Sequence, residues 1–144
     1  MQQTLQPKCG VGILVIKDGK LLLGKRKGSH GAGFYGSGGG HLEYGESFEE
    51  AAIREIHEEA GIEVQNLRFL AICNFISDGR HYIDVSFIAD WKSGEAKPME
   101  PEKLESWDWY DMSNLPSPLF DAVEKYIESY KTGKIFFDLE LGNK

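Results

Sequence analysis

Gly40–Ile62 reads GHLEYGESFEEAAIREIHEEAGI, and its centre, Arg54-Glu55-Ile56-His57-Glu58-Glu59, crowds three carboxylates into five positions. On a helix turning by about 100° per residue, Glu58 and Glu59 fall on either side of Glu55, so all three project from one face. Like charges at these spacings each cost roughly 0.2–0.5 kcal/mol. The acids also stand in the last turn before a helix-ending Gly61, where the helix dipole favours cations. A helix that accepts both penalties points to a compensating ligand. A hard divalent cation held by carboxylate oxygens meets that need.

The helix is well specified locally. Ser47 and Glu50 make an S-x-x-E capping box at its start, and Phe48, Ala52, Ile56 and Ala60 recur at helical spacing as an expected apolar stripe. Working outward, Cys9–Ile16 reads as a strand, Asp18-Gly19 as a tight turn and Lys20–Lys25 as the returning strand. Gly28–Gly40 (GSHGAGFYGSGGG) is expected to be a glycine-rich loop pinned by Phe34 and Tyr35. Val64–Ser77 and His81–Trp91 read as two long strands around the turn Ser77-Asp78-Gly79-Arg80. In the second, Tyr82, Asp84, Ser86 and Ile88 form a mostly polar face opposite the apolar Ile83, Val85, Phe87 and Ala89. Trp107–Tyr110 is a short strand, and Pro118 opens a helix from about Leu119 to Tyr130 that Gly133 ends. Strands mixed with one central and one late helix imply an α+β layered sandwich.

With 144 residues and a hydrophobic fraction of 41%, one domain over residues 1–144 with a substantial core is expected. The net charge of −7, with no basic stripe, argues against a nucleic acid polymer as partner. It leaves room for a small polyphosphate whose charge a metal ion cancels. Cys9 and Cys73 make no disulfide framework and suggest a reducing compartment. Met1–Lys8 is polar, and Val11–Ile16 is too short to span a membrane, so a cytoplasmic protein with no membrane partner is expected.

Gly40, Glu46, Arg54, Glu55, Ile56, Glu58, Glu59, Gly61 and Ile62 together are similar to the Nudix box at every one of its fixed positions. Nine positions at fixed spacing make the resemblance specific. The run GKRKGSHGAG before the box, and EPEKLESWDW with its following Pro-initiated helix, resemble the MutT-type members that cleave nucleoside triphosphates. The resemblance covers roughly residues 10–130, and Thr132–Lys144 lies outside it as a tail without a functional reading. It implies an α/β/α sandwich with a mixed central sheet and a catalytic loop–helix–loop.

It also implies Mg²⁺ or Mn²⁺ held by Glu55, Glu58, Glu59 and the Gly39 carbonyl, with Glu46 behind them. Arg54, four residues before Glu58, would orient the carboxylates. Glu55 is the first choice for the base that takes the proton of an attacking water, and Glu58 the second. A further carboxylate is expected from Glu100 or Glu102, with Glu102 preferred. Arg26 resembles a phosphate-contacting arginine, and Phe120 and Asp121 fall where the resemblance puts the nucleobase. Many relatives have proline where this chain has Ser37, before Gly38-Gly39-Gly40. Its loss is expected to loosen that loop and weaken metal binding somewhat.

His57 is read as a surface residue, His81 and Tyr82 as strand-pairing residues, and Trp91, Trp107 and Trp109 as core or rim. His41, beside the glycines, is read as an ordinary loop histidine. Neither cysteine has the histidine and acid of a thiol nucleophile.

The leading functional expectation is a nucleoside triphosphate pyrophosphohydrolase that releases a monophosphate and pyrophosphate, with oxidised or modified nucleotides among its candidate substrates. The second is a hydrolase of ADP-ribose or a dinucleoside polyphosphate. ADP-ribose-cleaving relatives commonly carry a proline some fifteen residues beyond the box, and none occurs here between Pro7 and Pro98. The third is a nucleotide sensor without activity, although such domains typically lose box carboxylates and none is missing here. A homodimer fits the resemblance, but no stretch identifies an interface. Glu58→Gln should lower turnover at least about a hundredfold without loss of fold, as steady-state kinetics and circular dichroism would report. Relief of like-charge repulsion is also expected to raise its metal-free stability.

Overall fold

The computed structural model describes residues 5–28 and 31–139. The Asp18-Gly19 turn joins β1 (Lys8–Lys17) to β2 (Lys20–Arg26), with both turn residues at positive φ, 51° and 77°. That backbone twist suits a two-residue hairpin.

β1 is the pivot of a mixed sheet. One of its edges runs parallel to β6 (Arg80–Ser93), from Lys8↔Tyr82 to Ile16↔Asp90. The opposite edge is shared. β2 takes Ile16 and Lys17, while β4 (Gly38–His41) takes Gly10 to Ile13. β5 (Glu63–Ser77) lies antiparallel beyond β6, and β7 (Leu104–Asp111) and the two-residue β3 (Tyr35–Gly36) both pair with β2.

Alternation along β1 sends Val11, Ile13 and Val15 to one face and Leu14 to the other. Helix α1 (Phe48–Ala60) covers the first face through Ala51, Ala52, Ile56 and Ala60. Helix α2 (Asp121–Thr132) covers the second through Ala122, Val123, Tyr126 and Ile127. The sheet is therefore the middle layer of an α/β/α sandwich, as the sequence implies.

Packing overrides several local expectations. Residues 35–36 and 38–41 are strands rather than loop. Their glycines serve close approach: a Cβ on Gly39 would stand 2.6 Å from the Val11 carbonyl oxygen, and one on Gly38 would stand 2.6 Å from Ile56. Four successive pairings to β1 hold this segment after Ser37. Phe34 is 39% exposed and ties the loop through its backbone, whose carbonyl accepts from the Arg26 amide, while Tyr35 packs edge-on against Tyr110. On α1, Ala51 takes the core position expected of Phe48, which is 43% exposed.

The polar face of β6 is not solvated either. Asp84 and Ser86 are buried beneath α2, where Tyr126 donates a hydrogen bond to Asp84 and Ser86 donates one to the Ala71 carbonyl. α2 begins at Asp121, not Leu119, because Leu119 bridges to Tyr35 and the Phe120 amide donates to the Tyr35 carbonyl. The tail contributes β8 (Phe136–Phe137), which runs parallel to β5.

Gly39→Ala should destabilise the fold by about 1–3 kcal/mol, since the obstructing atom is backbone and cannot turn aside. A lowered urea midpoint with an unchanged slope would register it, whereas a mobile segment would absorb the methyl without loss.

Candidate active site

Ser47 caps α1 as expected: its hydroxyl accepts from the Glu50 amide, and the Glu50 carboxylate accepts from the Ser47 amide. Gly61, at φ 72°, ends the helix. The acids between them are organised by Arg54. Its Nε and Nη2 grip both oxygens of Glu46 at 2.6 and 2.9 Å, while Nη1 reaches Glu55 at 2.7 Å and Glu58 at 3.4 Å. Nη2 also donates to the His41 carbonyl, tying α1 to β4. These bonds to Glu46 hold the Glu46 carboxyl below its ordinary range and raise the already high pKa of the guanidinium.

Glu59 turns inward. Its Oε1 accepts from the Gly39 amide at 2.8 Å, and its carbonyl accepts from the Trp107 indole. Burial, first, and then the charges of Glu55 and Glu100 push its pKa up to about 8, against the pull of Gly39 and Arg26. Burial also raises Glu55, with Arg54 opposing and Glu58 and Glu100 adding to the shift. Glu58 is exposed, so the stability gain expected of Glu58→Gln has no buried repulsion behind it. The buried repulsion belongs to Glu59.

Glu55, Glu58, Glu59, Glu100 and Glu102 line one open cleft of about 750 Å³, whose basic members include Arg26, Lys27 and Arg80. Glu102 is present as expected, but it is the charge of Glu100 that acts on Glu55 and Glu59. The cleft adjoins a smaller, aromatic cavity of about 200 Å³, and the two share Arg26, Ser37, Gly39, Gly40, His41 and Tyr82 in their walls. His41 stacks on Tyr82 with ring centres 6.1 Å apart, and Tyr82 stacks on Phe75 at 5.8 Å. The Arg26 guanidinium lies 4.5 Å from the centre of Phe120, and burial lowers its pKa.

Phe120 therefore joins Arg26 in the aromatic cavity. Asp121 does not: it accepts from Ser77 and lines a shallow recess beyond Phe120 with Asp78 and Phe34. Tyr82, read from the sequence as a pairing residue, is a wall of both cavities. Its position next to β4 comes from long-range register, for which the local sequence holds no sign. His57 is on the surface, paired with Glu63. Trp107 is buried, and Trp91 lies under Lys17.

A match to the NUDIX domain over residues 7–131, on this fold and carboxylate helix, makes the chain a member of the Nudix hydrolase family. The ADP-ribose pyrophosphatase of Methanocaldococcus jannaschii is 37% identical over 134 residues, covering 90% of this chain and 76% of that protein. The NAD-capped RNA hydrolase NudC of Photorhabdus laumondii subsp. laumondii is 37% identical over 102 residues, which are 71% of this chain. The matched region is only 38% of the NudC length. The crystal structure of a MutT NUDIX hydrolase from Burkholderia pseudomallei superposes with a TM-score of 0.82 at 35% identity, covering 86% of this chain and 98% of that one.

Nudix hydrolases generally use divalent metal ions. The donor chemistry here fits a hard cation: carboxylate oxygens of Glu55, Glu58, Glu59, Glu100 and Glu102 surround one cleft. Among the described residues no three acids, histidines or cysteines stand in a ligating group. Arg54 takes Glu55 and Glu58, and the Gly39 amide takes Glu59.

In metal-free protein, folded Glu59 keeps its proton up to about pH 8, whereas an unfolded glutamate loses it near 4.5. Stability contributed by this site therefore falls as pH rises through that window. Glu59→Gln retains an acceptor for Gly39 and should flatten the decline in Tm between about pH 5 and 8. Calorimetric scans at stepped pH would show an undiminished slope if the burial of this acid were immaterial.

Proposed function

We propose that the chain is a nucleoside triphosphate pyrophosphohydrolase that cleaves the α–β phosphoanhydride, giving a nucleoside monophosphate and pyrophosphate. The observation that carries this reading is the junction of the two cavities: an acidic, cation-compatible cleft opens onto an aromatic one across Arg26 and Tyr82. A nucleotide has that polarity, with phosphates at one end and a stacking base at the other. The basic members of the cleft suit a substrate with several phosphates. The flanks resembling MutT-type enzymes support the same choice.

Glu55, Glu58 and Glu59, the Gly39 carbonyl, and Glu100 or Glu102 would hold Mg²⁺ or Mn²⁺. When bound, the ion neutralises phosphate oxygens and lowers the pKa of the attacking water. Arg54 keeps the Glu55 and Glu58 carboxylates in register through its bonds to them. Glu55 accepts the proton of the attacking water, and its partial burial makes it a stronger base than a solvated glutamate. Glu46 acts through Arg54. Arg26, over Phe120, is placed to meet phosphate and base together.

A second reading, hydrolysis of ADP-ribose or another nucleoside diphosphate derivative, is favoured by the relative named ADP-ribose pyrophosphatase. The absence of a proline between Pro7 and Pro98 weighs against it. A sensor without activity is disfavoured by the intact box. With Mg²⁺ and a nucleotide panel, pyrophosphate should appear from a triphosphate. AMP and ribose phosphate from ADP-ribose, with no turnover of triphosphates, would establish the second reading instead.

A further inference from the structure

The floor of the aromatic cavity contains a carboxylate that neither hydrolysis nor metal binding uses. Asp84 is two residues beyond Tyr82 on β6, so both side chains face α2. It is 7% exposed, yet it lines the cavity. The cavity reaches it because its partner on β1 is Gly10, where a Cβ would come within 3.1 Å of Asp84 Oδ1. A Cβ on Gly12 would collide with the Tyr126 hydroxyl beside it.

Tyr126 donates to Oδ2 of Asp84. Among the described residues no protein donor is recorded for Oδ1, and no fully buried side-chain nitrogen or oxygen goes without a partner. Oδ1 is thus open to the cavity. A carboxylate has about four acceptor sites, two on each oxygen, and no donor, so Oδ1 can receive two N–H groups from a ligand while Oδ2 stays with Tyr126.

Resting on the nucleotide-hydrolase reading above, we infer that Asp84 selects the base, accepting hydrogen bonds from a ring N–H and an adjacent exocyclic amine, the guanine edge. Guanine offers both donors side by side. Adenine and cytosine put an acceptor nitrogen next to their amine, which meets the carboxylate with like polarity, and uracil offers one N–H between two carbonyls. Stacking on Tyr82, Phe75 and Phe120 holds any base, whereas the carboxylate discriminates between them. Burial pushes the Asp84 pKa up to about 6, which leaves it an acceptor at pH 7.5. A site built to receive N–H groups rejects analogues that lack them.

Calorimetric titration of the metal-free full chain with GMP, IMP and AMP at pH 7.5 separates recognition from hydrolysis. GMP should bind at least about tenfold more tightly than AMP, with IMP, which lacks the amine, between them. Asp84→Asn should bring the three together. Should that variant not fold, 1-methyl-GMP tests the unaltered protein, and blocking the ring N–H should weaken binding at least about tenfold. GMP and AMP affinities within about threefold, equal binding of 1-methyl-GMP, or no measurable GMP binding overturns the assignment. Turnover of triphosphates without base preference would reject Asp84 as selector and leave the hydrolase reading intact. Guanine-selective binding without turnover of any panel member would do the reverse.

Discussion

The Arg54 guanidinium is the charge around which the acidic end of this molecule is arranged. It meets Glu46 with two parallel bonds and reaches Glu55, Glu58 and the His41 carbonyl with its remaining donors. Bidentate pairing of this kind is strong and directional. It offsets a repulsion that the helix would otherwise bear alone. A lysine would supply the charge without the fork, and could not hold three acids and a carbonyl at fixed angles. Glu59 is the member to which Arg54 makes no recorded bond, and burial, with the charges of Glu55 and Glu100 adding, raises its pKa.

The glycines of β4 set the distance at which this arrangement works. Gly38, Gly39 and Gly40 let α1 lie against the sheet with Ile56 and Glu55 where side chains would otherwise be. The Gly39 amide then reaches Glu59, and the His41 carbonyl reaches Arg54. Backbone and carboxylate thus meet at the seam between two layers, at a polar site flanked by a core that includes Ile13, Ile56 and Trp107. The hydrophobic packing that fixes this seam also desolvates Glu55 and Glu59, which is how stability and chemistry become coupled here.

On the other face of the sheet the same strands build a different environment. Tyr82, Phe75 and Phe120 border a cavity whose floor on β6 is Asp84 and which α2 covers with Ala122, Val123 and Tyr126. Arg26 and Tyr82, with Ser37, Gly39, Gly40 and His41, line both cavities. Asp84 and Phe75 line the aromatic cavity, and Glu55 and Glu59 the acidic cleft, while β4 and β6 border both.

The sequence by itself determined the hairpin, the capped helix with its Gly61 stop, the crowding of Glu55, Glu58 and Glu59, and the layered class of the fold. Each depends on residues within a few positions of one another, where turn chemistry, capping and helical period act directly. Tertiary structure decided the remainder. Whether Gly38–Gly40 is loop or strand depends on β1, and whether Asp84 faces water or a cavity depends on α2. Tyr82 acquires its place from His41 and Phe75, which the chain brings from other strands. Register and layer contacts join residues far apart in sequence, and no local pattern encodes which polar face a second helix will cover.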